Sequence, residues 1–191
     1  MPDVNNTATT PPETQKRALV TGGGGFLGFA IVKMLLAEGY DVKTFSRKEY
    51  LKLHEMGITQ ISGNLDNLNL CSEALADVDV VFHTAAKAGA WGKYEDYYDT
   101  NTLGTQNIID ACLQTGVKHL VYTSSPSVVF NGSSIENGDE FLPYPDKFES
   151  MYSETKALAE QKVKAVTDPN LKTIILRPHD IWGPGDPHFV P

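Results

Sequence analysis

The segment that decides the fold is residues 17–36, RALVTGGGGFLGFAIVKMLL. It starts with a short β-prone apolar run, passes through four consecutive glycines and one further glycine, and ends in a stretch with helical spacing of apolar residues. The pattern Thr-Gly-x-x-Gly-x-x-Gly over 21–28 is typical of the turn between the first strand and the first helix of a dinucleotide-binding fold. The alternative, a flexible glycine-rich linker, is not expected between a buried strand and an amphipathic helix.

Three glycines of this run have the spacing that phosphate binding requires. Gly22 permits a tight turn, Gly25 lets the backbone approach a pyrophosphate, and Gly28 lets the helix pack closely against the strand. Backbone N–H groups at the start of the helix, together with the helix dipole, favour the anion. Gly23 and Gly24 are expected to carry no constraint. The cofactor contacts predicted from this turn are Gly22, Gly25, Phe26, Leu27 and Gly28.

The rest of the chain alternates short β-rich apolar runs with stretches of helical periodicity. The predicted strands are 17–22, 41–47, 58–64, 78–85, 118–125 and 172–178. The predicted helices are 26–38, 48–57, 71–77, 102–116 and 150–166, and the first should bury a stripe made of Ala30, Ile31, Met34 and Leu35. This alternation predicts an α/β, doubly wound Rossmann fold with a central parallel sheet of six or more strands. Ligands of such sheets bind beyond the carboxyl ends of the strands.

Length and composition bound the remaining possibilities. The 191 residues fit one domain, for which we predict a disordered leader over 1–16 and an NAD(P)-binding Rossmann domain over 17–191. The net charge of -8 argues against a nucleic-acid partner, since phosphate contacts need clustered Lys and Arg. Cys71 and Cys112 lack metal-ligand spacing, so reduced thiols and no metal site are expected. No apolar run approaches the roughly 18 residues that span a bilayer, and no signal peptide is evident, so we expect a cytoplasmic protein.

The end of the second strand predicts which dinucleotide binds. A preference for NAD usually comes with an acidic residue there, which binds the ribose 2′-hydroxyl. Here Ser46 and Arg47 occupy that place, and Asp41 lies at the other end of the strand. A guanidinium suits a 2′-phosphate because it binds phosphate in a bidentate manner. NADP(H) is therefore favoured over NAD(H), which stays an alternative, as does a solvated loop charge for Arg47.

A second informative motif is MYSETK at 151–156, in which Tyr152 and Lys156 share one face of a predicted helix. A phenol ordinarily has a pKa of about 10, so a neighbouring ammonium that stabilises the phenolate would make it a usable acid or base. The preceding strand ends in Ser124 and Ser125, whose hydroxyls can reach the crevice and a substrate oxygen. The alternatives are a surface Tyr–Lys pair and two serines that only begin a turn.

Together these motifs resemble the extended short-chain dehydrogenase/reductases. The shared motifs occur in order along the chain, as TGGGGFLG at 21–28, FHTAA at 82–86, YYDTNTLGTQNII at 97–109, VYTSSPSV at 121–128, YSETK at 152–156 and LRPHDIWGPGD at 176–186. Within that superfamily, which includes epimerases and dehydratases, HTAAKAGAWG, YTSSPSVVFNG and LRPHDIWGPGD most resemble the 3β-hydroxysteroid dehydrogenase/isomerase branch. That branch includes sterol-4α-carboxylate 3-dehydrogenases and 2-alkyl-3-oxoalkanoate reductases.

The resemblance implies roles for individual residues. Tyr152 would exchange a proton with the substrate oxygen, and Lys156 would bind the nicotinamide ribose hydroxyls and lower the pKa of the phenol. Ser125 would steady the developing oxyanion, with Ser124 as its alternative. It also implies cofactor contacts at Asn64, Leu65, Ala85, Ala86, Lys87, Tyr152, Lys156 and Pro178, and at Asn64 the family more often has Asp. Arg47, inferred above from the end of the second strand, completes the predicted set.

The activity implied is that of an NAD(P)-dependent oxidoreductase interconverting a secondary alcohol and a ketone. Its small-molecule substrate would be steroid-like or a long-chain 3-oxo acid, with reaction at the 3-position. Two alternatives stay open, a nucleotide-sugar epimerase or dehydratase with tightly bound NAD and a non-catalytic dinucleotide-binding module.

The resemblance also bears on chain length. Members of the family are usually much longer, because later elements build a substrate-binding lobe. This chain is therefore expected to be a fragment, or else a short member with an open pocket. Apolar surface left exposed where the lobe would pack predicts self-association, for example as a homodimer.

Overall fold

The computed structural model of the protein describes residues 15–89 and 91–186. The predicted leader lies outside these residues except for Gln15 and Lys16, which precede the first strand. Within the described ranges, no helix has both the length and the apolar character that crossing a membrane requires.

A parallel sheet forms the centre of the described chain. Its strands are β1 Arg17–Thr21, β2 Asp41–Ser46, β3 Thr59–Ser62, β4 Val80–His83, β5 His119–Thr123 and β6 Lys172–Leu176. Their order across the sheet is β3-β2-β1-β4-β5-β6, and every pairing is parallel. The order reverses between β1 and β4, which is where a doubly wound fold binds its ligand. The predicted Rossmann fold is confirmed, and each strand ends within two residues of its predicted bounds.

Helices connect the strands on both sides of the sheet. The α-helices are α1 Phe26–Ala37, α2 Leu51–His54, α3 Leu68–Ala74, α4 Tyr94–Tyr97, α5 Gly104–Thr115 and α6 Met151–Lys164. A π-helical turn, Tyr98–Leu103, joins α4 to α5, and a 3₁₀ turn, Pro126–Val128, follows β5. Helix α6 starts at a capping box, because the hydroxyls of Ser150 and Ser153 each accept from the backbone N–H of the other residue.

The buried face of α1 differs from the predicted stripe. Its buried residues are Gly28, Val32 and Leu35, whereas Ala30 is exposed and the Met34 side chain is 69% exposed. Leu35 is the one residue of the predicted stripe that is buried, and Gly28 has no apolar side chain by which the pattern could reveal it. Gly28 is nevertheless the point where the helix backbone approaches the glycine-rich turn most closely, so it decides which face points inward.

Two apolar clusters, one on each face of the sheet, hold the layers together. Successive residues of β1 alternate between them, with Ala18 and Val20 in one cluster and Leu19 in the other. The first cluster includes residues of α1 and α2, and the second includes residues of α3, α5 and α6. A third, smaller cluster packs Val128 and Val129 against Ala157 of α6. It fixes the segment after β5 to the helix that carries Tyr152.

Strand β6 is the outermost strand on one side of the sheet in the described chain. Its Ile174 and Leu176 side chains are 53% and 51% exposed, and Trp182 beyond it is 70% exposed. Exposed apolar residues are therefore present here, while their relation to a substrate-binding lobe stays a prediction. Self-association through this surface stays a prediction.

Candidate active site

The carboxyl ends of β1, β2, β3 and β4 surround a cavity of about 580 Å³. The predicted cofactor contacts that line it are Gly22, Gly25, Arg47, Asn64, Leu65, Ala85, Ala86 and Lys87. The predicted contacts that do not line it are Phe26, Leu27, Gly28, Tyr152, Lys156 and Pro178. Residues that the sequence analysis did not single out also line it, among them Tyr50, Gly63, Asp66 and Thr84. Gly63 and Thr84 lie near the carboxyl ends of the strands predicted at 58–64 and 78–85, and Asp66 follows the first of these, so the strand-end rule could have found all three.

The glycine-rich turn has the geometry that its spacing predicts. Gly22 has a φ of 69°, and a Cβ there would lie 3.1 Å from the backbone of Ala85. Gly25 donates its N–H to the carbonyl of Gly22 at 2.8 Å and is exposed to the cavity. A Cβ on Gly28 would overlap the backbone of Gly22. The turn is therefore tight at its base and open where an anion would approach.

The expectation that Gly23 and Gly24 carry no constraint is wrong. A Cβ on Gly23 would overlap the side chain of Thr44, and one on Gly24 would overlap the ring of Tyr50. The Gln60 side chain holds Tyr50 in place, because it accepts from the Tyr50 N–H at 2.8 Å and donates to the Tyr50 carbonyl at 3.2 Å. These neighbours belong to other elements, so the local glycine pattern could not reveal them.

Ser46 and Arg47 lie where β2 meets the cavity. Arg47 is exposed and lines the cavity wall. The Ser46 hydroxyl oxygen is buried and has no hydrogen-bond partner among the described residues. The only carboxylate of β2, that of Asp41, lies at the opposite end of the strand, 3.9 Å from Arg17. The cavity wall here therefore includes Arg47 and no carboxylate of β2.

A buried histidine links the first and fourth strands beneath the cavity. The Thr21 hydroxyl accepts from the N–H groups of Thr84 at 3.2 Å and Ala85 at 3.1 Å, so its own proton is donated to Nδ1 of His83 at 2.7 Å. His83 therefore carries its proton on Nε2 and donates it to Thr105 at 3.0 Å. Burial, together with the nearby charge of Lys156, lowers the pKa of His83 to about 3. The neutral ring fixes the two strand ends that form the cavity floor.

The π-helical turn positions the segment that follows β4. The buried Asn101 side chain accepts from the Lys87 N–H at 2.7 Å and donates to the Lys87 carbonyl at 3.1 Å. It also donates to the Thr155 hydroxyl at 3.1 Å, and Thr102 donates to the Thr155 carbonyl at 2.9 Å. The turn thereby ties the cavity wall to α6. The predicted helix begins only at residue 102, so most of this turn is absent from the prediction, although such turns are frequent at functional sites.

Ser125 and Tyr152 meet at the end of β5. Ser125 caps the 3₁₀ turn, and its hydroxyl accepts from the Ser127 N–H at 3.2 Å. Tyr152 lies in the first turn of α6. Burial raises the pKa of Tyr152 above its ordinary value, and hydrogen bonding with the Ser125 side chain offsets part of this rise. The structure thus brings together two side chains that lie far apart in the sequence.

Lys156 is buried one helical turn after Tyr152. Its Nζ donates to the Thr123 carbonyl at 2.6 Å and lies 4.2 Å from the ring centroid of Tyr122. Burial lowers the pKa of Lys156 to about 7, and the charge of Glu160 acts in the opposite direction. The amine is therefore held on the strand that leads to Ser125.

The two neighbouring serines have different surroundings. Ser124 is buried, and its hydroxyl donates to Glu160 at 2.5 Å. Ser125 instead lines a second cavity of about 430 Å³, together with Pro126, Ser127, Phe130, Ile135, Pro178, His179 and Asp180. Of these two serines, Ser125 is the one that lines a cavity. The geometry therefore favours Ser125 over Ser124 as the residue that meets a substrate.

Neither cysteine has the surroundings of a reactive or metal-binding thiol. Both are free and buried. Burial raises the pKa of Cys71 to about 11 and that of Cys112 to about 12, so both stay protonated core residues. Within residues 15–89 and 91–186, no group of three or more His, Cys, Asp or Glu side chains could hold a metal ion.

The first cavity fits the diphosphate and ribose of a dinucleotide. Its glycine turn leaves the backbone open at Gly25, and the unpartnered hydroxyl of Ser46 is available to a polar ligand. Together with the strand order, these features define a dinucleotide-binding protein of the short-chain dehydrogenase/reductase class. The sequence profile of the 3-beta hydroxysteroid dehydrogenase/isomerase family matches residues 19–191, and the chain belongs to this family.

Several characterised proteins are similar to this chain. The 2-alkyl-3-oxoalkanoate reductase of Stenotrophomonas maltophilia is 48% identical over 177 residues, covering 92% of this chain and 54% of the relative. The human decarboxylating sterol-4-alpha-carboxylate 3-dehydrogenase is 41% identical, covering 92% of this chain and 47% of the relative. The solved UDP-glucose 4-epimerase of Thermus thermophilus, a complex with NAD, is 29% identical with a TM-score of 0.74, covering 84% of this chain and 54% of that one. The chain spans about half the length of the curated relatives it matches.

Proposed function

We propose that this chain provides the cofactor-binding and catalytic part of an NAD(P)-dependent oxidoreductase that interconverts a secondary alcohol and a ketone. The observation that carries the proposal is the hydrogen bond from Lys156 to the Thr123 carbonyl at 2.6 Å, which places the amine at the end of β5, two residues before Ser125. Tyr152 lies one turn before Lys156 on the same helix. Family membership supports it, as do the names of the two similar curated proteins, a reductase and a 3-dehydrogenase.

Each side chain of the catalytic set has a separate task in this proposal. A bound nicotinamide dinucleotide supplies or accepts the hydride. Tyr152 gives a proton to the substrate oxygen during reduction and takes it back during oxidation. Ser125 donates a hydrogen bond to the same oxygen and stabilises the negative charge that develops there. In its charged form, Lys156 favours the phenolate of Tyr152 through the attraction of opposite charges.

NADP(H) is the cofactor that we assign to this site, with NAD(H) as the alternative. Arg47 at the cavity wall supplies a bidentate phosphate donor, and the unpartnered Ser46 hydroxyl adds a neutral donor beside it. Gly22, Gly25, Asn64, Leu65, Ala85, Ala86 and Lys87 would complete the walls around the dinucleotide. Phe26, Leu27 and Gly28 would contribute as the first residues of α1, because the start of a helix favours an anion such as the pyrophosphate.

The substrate is assigned to the second cavity. Ser125 opens into it, Pro178 bounds it toward β6, and its apolar wall includes Phe130 and Ile135. An apolar wall suits a steroid-like substrate or a long-chain 3-oxo acid that reacts at its 3-position. A cytoplasmic location and a homodimer formed through the exposed face of β6 are further parts of the proposal.

Replacement of Tyr152 by Phe tests the proposal. In the native polypeptide that contains these residues, Tyr152→Phe should lower kcat by about 100-fold or more, because the proton donor is lost while the ring is kept. Oxidation of NADPH would be followed by absorbance on a panel of 3-oxo acids and 3-oxosteroids. Tyr40→Phe, which removes a hydroxyl next to β2, is the matched control and should retain the native rate. A Tyr152→Phe variant with native kcat would refute the assigned mechanism.

A nucleotide-sugar epimerase is the second candidate, since a UDP-glucose 4-epimerase shares the fold at 29% identity. The 48% identity with a reductase makes this candidate weaker. An epimerase would retain tightly bound NAD through purification, which acid extraction and chromatography would reveal. Protein that is free of nucleotide and reduces 3-oxo substrates with added NADPH would exclude this candidate.

A further inference from the structure

We propose that Ser127 is a positioning residue for the reaction, because its hydroxyl donates to the hydroxyl of Ser125 and directs the Ser125 proton toward Tyr152 and the substrate oxygen. This inference rests on the proposed function. It adds a second hydroxyl, two residues further along the 3₁₀ turn, to the set of groups that control the substrate oxygen.

The hydrogen bonds around Ser125 carry the inference. A serine hydroxyl has one proton to donate and two positions at which it accepts. The Ser127 N–H occupies one accepting position of Ser125 at 3.2 Å. The two hydroxyl oxygens lie 2.8 Å apart, a distance at which either serine could donate. Because Ser125 lines the second cavity, its proton is best used toward a substrate oxygen there, and Ser127 then donates to Ser125.

The local fold holds Ser127 in this position. Pro126 occupies the first position of the 3₁₀ turn and restricts the backbone immediately before Ser127. Val128, directly after it, is fully buried and packs with Ala157 of α6. The hydroxyl of Ser127 is therefore fixed by packing on the helix that carries Tyr152. Both serines line the second cavity, where the substrate oxygen would lie.

A hydroxyl that accepts a hydrogen bond becomes a stronger donor, because adjacent hydrogen bonds polarise each other. Removal of the Ser127 hydroxyl should therefore weaken the bond from Ser125 to the substrate oxygen without removing it. We expect Ser127→Ala to lower kcat by about threefold to tenfold, the range for the loss of one neutral hydrogen bond, with little change in KM. Ser127→Thr keeps a hydroxyl on the same carbon and should restore at least about half of the native kcat.

A double-mutant cycle in the native polypeptide separates positioning from simple structural damage. If Ser127 acts through Ser125, Ser127→Ala should have no further effect on kcat in a Ser125→Ala background. Ser134→Ala, which removes an exposed hydroxyl from the following loop, is the matched control and should leave kcat unchanged. NADPH affinity and the urea midpoint, measured for every variant, should stay at the native values.

Three outcomes would overturn the inference. Native kcat in Ser127→Ala, while Tyr152→Phe is inactive, would remove the role of Ser127 and leave the proposed function standing. Equal losses of kcat with and without the Ser125 hydroxyl would show that Ser127 acts independently of Ser125. Native kcat in Tyr152→Phe would refute the proposed function, and the role of Ser127 would fail with it.

Discussion

Burial favours the neutral forms of both Lys156 and Tyr152. Burial lowers the pKa of Lys156 to about 7, and burial also raises the pKa of Tyr152. A neutral lysine would not help the phenol to ionise, whereas a charged one would. Near neutral pH the lysine is thus close to its titration midpoint. In the proposed function, groups that approach Lys156 on cofactor binding, such as ribose hydroxyls, would decide whether Lys156 and Tyr152 are charged.

Arg47 gives a prediction about cofactor choice. Arg47→Ala should raise the Kd for NADPH by about 10- to 100-fold, since hydrogen bonds to charged groups contribute roughly 1.5–3 kcal/mol. The Kd for NADH should change less than about threefold, because NADH has no 2′-phosphate for the guanidinium to bind. Both constants can be measured from the change in nicotinamide fluorescence on titration.

The neighbouring cation provides the control for this experiment. Lys48 is also exposed, but its Nζ lies 5.3 Å from the ring centroid of Tyr50, and it does not line the cavity. Lys48→Ala should leave the ratio of the two affinities unchanged. Equal weakening of NADPH and NADH by Arg47→Ala would show that the side chain does not read the 2′-phosphate.

At the scale of elements, two glycines at the junction of β1 and α1 have different roles, one in stability and the other in ligand binding. A Cβ on Gly28 would overlap the backbone of Gly22, so Gly28→Ala should lower the free energy of unfolding by about 1–3 kcal/mol. Gly25 has φ −75° and ψ 175°, a backbone conformation open to alanine, and it faces the cavity, while a Cβ there would lie 3.2 Å from the Gly22 carbonyl oxygen. Gly25→Ala should therefore lower the free energy of unfolding by less than about 1 kcal/mol but increase the Kd for NADPH by about tenfold or more.

Urea unfolding and NADPH titration of the two variants test this separation. Each variant adds one methyl group to the same turn and so serves as the control for the other. A stability loss in Gly25→Ala equal to that in Gly28→Ala would contradict the assigned roles. So would native NADPH affinity in Gly25→Ala, because a methyl group at the closest approach should exclude the pyrophosphate.

The elements that could be predicted are those with a local signal. Strands β1 to β6 are short apolar runs between turn residues, and their positions follow from that pattern. Residues 94–101 lie outside the predicted helices, and the hydrogen bonds between Asn101 and Lys87 that hold this segment join two different parts of the chain. The roles of Gly23 and Gly24 also depend on side chains of other elements, and no local pattern contains that information.

At the scale of the whole molecule, Glu160 joins the elements around the catalytic set. Its side chain is fully buried and accepts hydrogen bonds from Ser124 at the end of β5, Arg177 beyond β6, and Tyr144 in the intervening loop. Lys164 of α6 lies 3.1 Å from the same carboxylate. These partners are spread over more than 50 residues of sequence. The network therefore fixes the strand ends before Ser125 and Pro178 relative to α6.

The Glu160 network predicts a pH-dependent contribution to stability. Burial alone would raise the pKa of Glu160, but hydrogen bonds from Arg177, Ser124, Tyr144 and Lys164 outweigh it and lower the pKa to about 2. Because the folded pKa is below the unfolded value of 4.5, the stabilisation is complete above that value and is lost as the pH falls toward 2. Glu160→Gln should lower the free energy of unfolding by about 3 kcal/mol at pH 7.

The size of this deficit should depend on pH, which distinguishes a charge effect from a packing effect. Between pH 6 and pH 4 the carboxyl of Glu160 becomes protonated in the unfolded chain. The difference in the free energy of unfolding between the native protein and Glu160→Gln should therefore narrow by about 1 kcal/mol. Urea unfolding at both pH values measures it, with Glu55→Gln as the exposed control, expected within about 0.5 kcal/mol of native. A deficit that stays constant over this range would show that the stabilisation does not come from the ionised carboxylate.

Because Glu160 holds Ser124, Glu160→Gln should also lower kcat, since the end of β5, which leads to Ser125, would be displaced.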